Sequence, residues 1–424
     1  MSGHVVLFED SGWQRLYPIT LSRPSFDCRL GTTSLGRRLI AQLALKDIRR
    51  VDLLCRSGLR PIVEREYPGH SVNRAAPGDV YFLNGRLLAL GEGLDELFAL
   101  LDKAVAVVSH GELVGARLGA DVSATFFAEL EEHLEKGLPS PTPSDHTTAP
   151  LPESIRLVAH LWDLVALNRE VIEDDFAWMD HPHLHAQPDL APGAHLVHRD
   201  RMRIRDGVRV ETGAVVDASR GPVFLGEDVR IEHNAVVLGP AVIGPRSLIR
   251  GGAHIQGPVS IGPVSKVGGE IEGSIVQGYS NKQHEGYLGH AYVGSWVNLG
   301  ALTTNSDLKN NYGTVRVWTP EGEIDTGQQF VGVFIGDHSK TAIGTMLNTG
   351  TVIGFSSNIA THGFPSKHVP SFSWMGPFGM EPYDLEKALI VARAVLGRRQ
   401  MHLEPADEVL FRAIHAEALK SGRP

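Results

Sequence analysis

The chain has 424 residues, of which 42% are hydrophobic and 21% charged, and its formal net charge is −9. That length and composition imply two or three globular domains, each able to bury a core. The acidic balance, with no Lys/Arg-rich run, argues against a nucleic-acid partner, and no apolar run approaches the length of a membrane-spanning helix. Cys28 and Cys55 form no CxxC pair, which excludes a disulfide framework and a cysteine-built zinc site. The start, MSGHVVLFEDSGW, lacks the basic and apolar stretches of a signal peptide, so a cytoplasmic location is expected.

In chain order, HVVLFED predicts a strand and TTSLGRRLIAQLAL a helix opened by a Thr/Ser cap. RRVDLLC and DVYFLNGRLLAL predict strands, and LDELFALLDK a helix. Strands alternating with helices predict an α/β domain with a mostly parallel sheet over residues 1–136. Residues 137–186 form a linker and connecting helix: Gly137–Ser154 is rich in Pro, Ser and Thr, and apolar residues from Leu157 through Leu161, Leu164 and Val165 recur at helical spacing. His181, His183, His185, His195 and His198 are read as part of a polar linker in preference to a metal site.

The next segment, residues 187–376, is repetitive. GPVFLG, GPAVIG and GPVSIG begin at Gly221, Gly239 and Gly257, 18 residues apart, with small or aliphatic residues about every six: Val223, Val229, Ala235, Ala241, Ser247, Ala253, Val259. Three hexads per triangular coil predict a left-handed parallel β-helix, whose coils bury their aliphatic rows only by stacking. FSWMGPFG (372–379) reads as a packed exit from it, and residues 377–424 as C-terminal helices.

One stretch breaks the pattern. GYSNKQHEGYLG, residues 278–289, sets Asn281, Lys282, Gln283, His284 and Glu285 in a row, and is expected to leave the wall as a loop or to cover a cleft. A histidine there suits a general base at neutral pH.

QHEGYLG followed by AYVGSWVNLGA resembles the acetyltransferase half of the bifunctional GlmU family, and the run from Gly268 to Gly313 is closer to that family's divergent branch. LFEDSGWQRLYPITLSRP and FLNGRLLAL resemble the same branch, so the likeness covers nearly the whole chain. The resemblance implies an amino-sugar N-acetyltransferase joined to a sugar-1-phosphate nucleotidyltransferase, serving nucleotide-sugar synthesis as a homotrimer. It assigns His284 as the base, Tyr287 and Asn298 to the sugar, and Arg250 to a phosphate. It places Ala301 beside the thioester of acetyl-CoA, and Lys340 is a candidate for the CoA phosphates. Where the family has a lysine for the sugar phosphate this chain has Glu272, and Lys282 is the candidate substitute.

In the N-terminal half, a Gly-rich phosphate loop is missing, and Arg15 and Arg23 are the expected phosphate ligands. Asn84-Gly85-Arg86 stands where a metal-holding Gly-Asp is expected, so Asn84 and Arg86 join the nucleotide site and any magnesium would need Asp27 or Asp79. A nucleotide-sugar-binding or regulatory scaffold without turnover is the alternative reading of the whole chain.

Overall fold

The computed structural model describes residues 3–75, 78–148, 150–361 and 363–420; the expectations for the linker at Ala149 and for the last four residues fall outside them. The chain divides into two compact units: Met1–Leu16, Ser22–Cys28 and Thr33–His160 in one, and Tyr17–Leu21, Arg29–Thr32 and Leu161–Pro424 in the other.

In the first unit, β1 (His4–Phe8) lies parallel to β2 (Arg50–Leu54) on one side and to β3 (Val80–Asn84) on the other. Every residue of β1 and β3 is buried, because helices α1 (Leu35–Leu45), α2 (Arg60–Glu66), α3 (Gly93–Leu101) and α4 (Ser123–Glu135) accompany the sheet. Among the described residues three of the sheet's five strand pairings are parallel, and β5 (Glu112–Leu118) runs antiparallel to both β3 and β4 (Ala106–Ser109). Ser34 does not cap α1 through its side chain; its hydroxyl meets the Tyr67 hydroxyl at 3.2 Å. DVYFLNGRLLAL is two strands. The Asn84 side chain accepts the Arg86 N–H at 2.9 Å and turns the chain, so that Leu87–Ala89 pairs with Ile155–Leu157. Leu157 is thereby a strand residue, and the connecting helix, α5, spans Leu161–Trp178.

The second unit is the β-helix. Its strands stack in three parallel faces, one from Asp189–Leu190 to Asn281–Lys282, one from His195–Val197 to Tyr287–Gly289, and a nine-strand face from Met202–Ile204 to His368–Val369. On the third face Val223 pairs with Ala241 and Ala241 with Val259, which is the 18-residue coil seen in the sequence. All seven hexad residues from Val223 to Val259 are buried. Each such Val contributes about 1.5–3 kcal/mol by leaving water.

The corner between the third and first faces is held by residues in the left-handed region. Asp228, Arg246, Val264, Tyr279, Trp296, His338, Ser356 and Phe372 have φ between 52° and 63°. At the late coils this corner turns aromatic and is covered by α6 (Leu385–Gly397) and α7 (Pro405–Lys420), with Phe355, Phe372, Leu389 and Phe411 in one cluster. FSWMGPFG is no packed exit: Ser373–Gly376 and Gly379–Pro382 make a hairpin whose tip, Phe378, is fully exposed.

Candidate active site

Two irregularities surround the polar run. The coil before it is short, since Ser260 pairs with Ile275, 15 residues on. The coil after it is long, since Tyr292 pairs with Phe334, 42 residues on, and the surplus carries the hairpin Arg316–Thr319/Gly322–Asp325. Between them residues 278–289 stay in the wall instead of leaving it as a loop. Asn281–Lys282 and Tyr287–Gly289 are strands of the first and second faces, and residues 283–286 form the corner joining them.

His284 lies exposed on that corner, and its ring has no hydrogen-bond partner among the described residues. Tyr287 projects from the second face. Its hydroxyl donates to Asp307 at 2.8 Å and lies 3.2 Å from Glu272. Asp307 also meets His290 Nδ1 at 2.8 Å. Burial works to raise the Asp307 carboxyl, but the hydrogen bonds from His290 and Tyr287 outweigh it and hold the group below its usual range. Burial, then Asp307 and Glu272, pushes the Tyr287 phenol far up, so it stays a donor.

Glycines make room for this cluster. A Cβ on Gly289 would stand 2.3 Å from the Tyr287 hydroxyl and 2.4 Å from Asp307, and one on Gly273 would meet the His290 ring at 2.9 Å. A cleft of about 350 Å³, lined by Ser306, Leu308, Lys309 and Asn348 among others, flanks Asp307.

On the first face, Asn281 Nδ2 donates to exposed Asn298 at 3.3 Å, and Asn298 bridges to Lys340. Ala301 is partly exposed on the next corner, and its carbonyl accepts from Gly344 N–H at 2.8 Å. The Lys340 ammonium donates to the His338 carbonyl at 2.7 Å, and burial pulls it down to about 8. Arg250 is held by Glu232 at 3.2 Å.

Lys282 departs from expectation. It is buried at an inward position, its ammonium donating to the carbonyls of His284 and, at 3.5 Å, Gly268. It cannot replace the missing phosphate lysine from there. Sequence reasoning also missed His290 and Asp307; the only signal was a second histidine just past the motif and an aspartate in the irregular coil, and neither carries a spacing that points to the other.

In the first unit the expected phosphate ligands are committed elsewhere. Arg86 is fully buried and donates to Asp10 at 2.8 and 2.5 Å, to Glu112 at 2.8 Å and to the Val158 carbonyl at 2.6 Å. Asn84, also buried, donates to Asp10 at 2.9 Å. Arg15 is paired with Glu112 at 2.5 Å, and Arg23 with Asp27 at 3.5 Å. This donor set does not fit magnesium. Asp27 is further bonded by the Tyr67 hydroxyl at 2.8 Å, and Asp79 accepts the Ala120 N–H at 3.2 Å. Among the described residues no three His, Cys, Asp or Glu side chains converge on a metal position.

The chain is similar to known transferases. Residues 5–183 match the family described as sugar nucleotidyl transferase, and residues 222–257 match the bacterial transferase hexapeptide family. An uncharacterized acetyltransferase, YaiX, from Escherichia coli O6:K15:H31 (strain 536 / UPEC) is 32% identical over 166 residues, 39% of this chain and 72% of its own length. A bifunctional sugar-1-phosphate nucleotidylyltransferase/acetyltransferase from Sulfurisphaera tokodaii is 30% identical over 90 residues, 21% of this chain and 22% of that one. The bifunctional protein GlmU of Methanococcus aeolicus is 31% identical over 93 residues, 22% of either chain.

Proposed function

The chain belongs to the divergent GlmU-like family, transferases that join a sugar nucleotidyl transferase domain to hexapeptide repeats, and on that premise we propose that its β-helix transfers acetyl from acetyl-CoA to the amine of an amino sugar. The observation that carries this reading is the cluster of Tyr287, Glu272, His290 and Asp307, with His284 on the adjoining corner.

The amine attacks the thioester carbon. An N–C bond forms, the C–S bond breaks, the amine proton passes to His284, and the thiolate leaves to be protonated as free CoA. The amine is a good nucleophile once neutral and placed, so no covalent enzyme intermediate is needed. The Ala301 N–H would meet the carbonyl oxygen as charge develops there. Tyr287 and Asn298 would hold the sugar. Glu272 and Asp307 repel phosphate on the second face, so an acceptor phosphate must lie elsewhere.

A second reading is favoured by one distance. His290 is oriented by Asp307 at 2.8 Å, an arrangement that suits a general base, whereas the His284 ring is unsupported. We assign no nucleotidyl turnover to the first unit, because its arginines are tied up in internal ion pairs.

The test follows free CoA release from acetyl-CoA with glucosamine-1-phosphate, and pyrophosphate release from UTP or dTTP with N-acetylglucosamine-1-phosphate and magnesium. CoA release is expected, lowered about 10²–10⁴-fold in His284→Ala. A loss confined to His290→Ala would transfer the role to His290. Activity surviving both variants would sink the acid–base reading, and pyrophosphate release would overturn the assignment for the first unit.

A further inference from the structure

We propose that Lys266, Arg398 and Arg399, with Asn281 between them, form a site for a phosphate group of a small-molecule ligand, on the first face and away from the carboxylates of the second. The proposal deepens the acetyltransfer reading, on which it rests only for what the ligand is used for.

Three other cations of this face are paired with carboxylates. Arg209 and Arg230 share Glu211 at 2.8 and 2.9 Å, and Arg250 is held by Glu232 at 3.2 Å. The pattern stops at the next coil. Among the described residues, neither Lys266 nor Arg398 nor Arg399 has a carboxylate within 4 Å.

These three are nonetheless drawn together. Lys266 and Asn281 are cross-strand partners, so their outward side chains stand about 4.8 Å apart along the face. Asn281 accepts from Arg399 Nη2 at 2.9 Å and donates to Asn298, which fixes its amide and aims the guanidinium at the strand. Arg398 caps the C-terminus of α6. Cations are favoured at a helix C-terminus, which accounts for Arg398 by itself. It does not account for Arg399 reaching back to a strand that already carries Lys266. Burial, then the like charges of Arg399, Arg398 and Arg250, holds the Lys266 ammonium below its usual range. A protein with net charge −9 has carboxylates to spare, yet leaves this group without one. An anion would relieve the repulsion, and a phosphate can accept from two guanidinium groups and an ammonium at once.

The location suits the chemistry already described. The corner bearing His284 separates the first face, with its cations and the amides of Asn281 and Asn298, from the second, with Glu272 and Asp307. A phosphate excluded from the second face by two carboxylates finds its counter-charge across the corner. Either substrate could supply it, the acetyl donor through its CoA phosphates or the acceptor as a sugar phosphate.

Calorimetric titration of the full chain separates the sources. The probes are coenzyme A against phosphate-free pantetheine, and glucosamine-1-phosphate against glucosamine. Lys266→Met and Arg399→Gln should each weaken the phosphate-bearing probe by about tenfold or more, with its phosphate-free counterpart unaffected. Loss confined to coenzyme A assigns the donor, and loss confined to glucosamine-1-phosphate the acceptor. Arg393→Gln, on α6 and paired with Glu408 at 2.6 Å, serves as the control and should bind as the parent does. The melting temperature of each variant separates lost binding from lost fold. Unaltered affinity for both probes in folded Lys266→Met and Arg399→Gln, or no binding of either probe by the parent chain, would overturn the site. Because binding is read without turnover, failure to release CoA would sink the acetyltransfer reading and leave this one standing.

Discussion

Lys282 occupies a position that the repeat reserves for aliphatic side chains. It pairs in register with Val267, as Val267 does with Ile249 and Ile249 with Ile231, and that whole row faces the core. In a strand, adjacent residues point to opposite sides, so the alternation that turns Asn281 outward turns Lys282 inward. The polar run was visible in the sequence, but which of its members face solvent depends on a one-residue register that no motif states. Burial pulls the Lys282 ammonium down from 10.5 to about 8, with the nearby charge of Glu285 opposing. Between those values the unfolded chain binds more protons than the folded one, so this group makes stability rise with pH there. Urea unfolding at a series of pH values should show the gap between wild type and Lys282→Met moving in favour of wild type from about pH 8 to 10.5, and flat below pH 8. Lys340, pulled to a similar value, is present in both proteins and cancels. Parallel profiles would mean that Lys282 titrates as a solvated lysine.

The hairpin Arg316–Thr319/Gly322–Asp325 shows what an element adds that a repeat cannot forecast. The hexad period announces coils and their core row, and the β-helix was legible for that reason: a stacked row of Val, Ile and Ala has few other solutions. The short and long coils were not legible, because an insertion or deletion in a repeat leaves the period intact on both sides. The hairpin is anchored by Trp318, stacked on His368 at a centroid distance of 3.4 Å, with Tyr17 edge-on at 5.3 Å. Burial drops the His368 imidazole from 6.5 to about 4. Docking therefore favours the neutral ring. As pH falls from 6.5 towards 4 an undocked His368 takes up a proton that the docked one refuses, and docking weakens. Amide protection factors over residues 316–325, corrected for intrinsic exchange, should fall across that range faster than those of the coil core. His368→Phe keeps a ring under Trp318 and removes the proton, so its protection should lose the extra pH dependence. The same dependence in the variant would place the titration elsewhere.

The two units carry their likeness to the family differently. The first holds most of the residues that match the sugar nucleotidyl transferase family, but the arginines expected to meet a triphosphate close on carboxylates, Arg86 on Asp10 and Glu112 and Arg15 on Glu112. Removing one partner of such a buried set costs about 3–5 kcal/mol, so the network serves the fold whatever else it does. The second unit exposes large apolar side chains near its polar cluster. Leu302, Ile343 and Met346 are 56%, 77% and 39% exposed, and Phe330, tilted against His290, is 48% exposed. Large apolar side chains gathered near a polar cluster mark an interaction surface. The resemblance to GlmU-like β-helices implies an acyl-CoA site between neighbouring columns, and on that expectation we propose that the partner is a second copy of this chain, in a homotrimer. Sedimentation should give a mass three times that of one chain, and Ile343→Glu combined with Leu302→Glu should shift it to a single chain while the circular dichroism of the β-helix persists. Acetyl transfer should fall with the assembly. A single-chain mass for the unaltered protein would sink the intersubunit site, and a dissociated variant that kept full activity would place the whole site on one column.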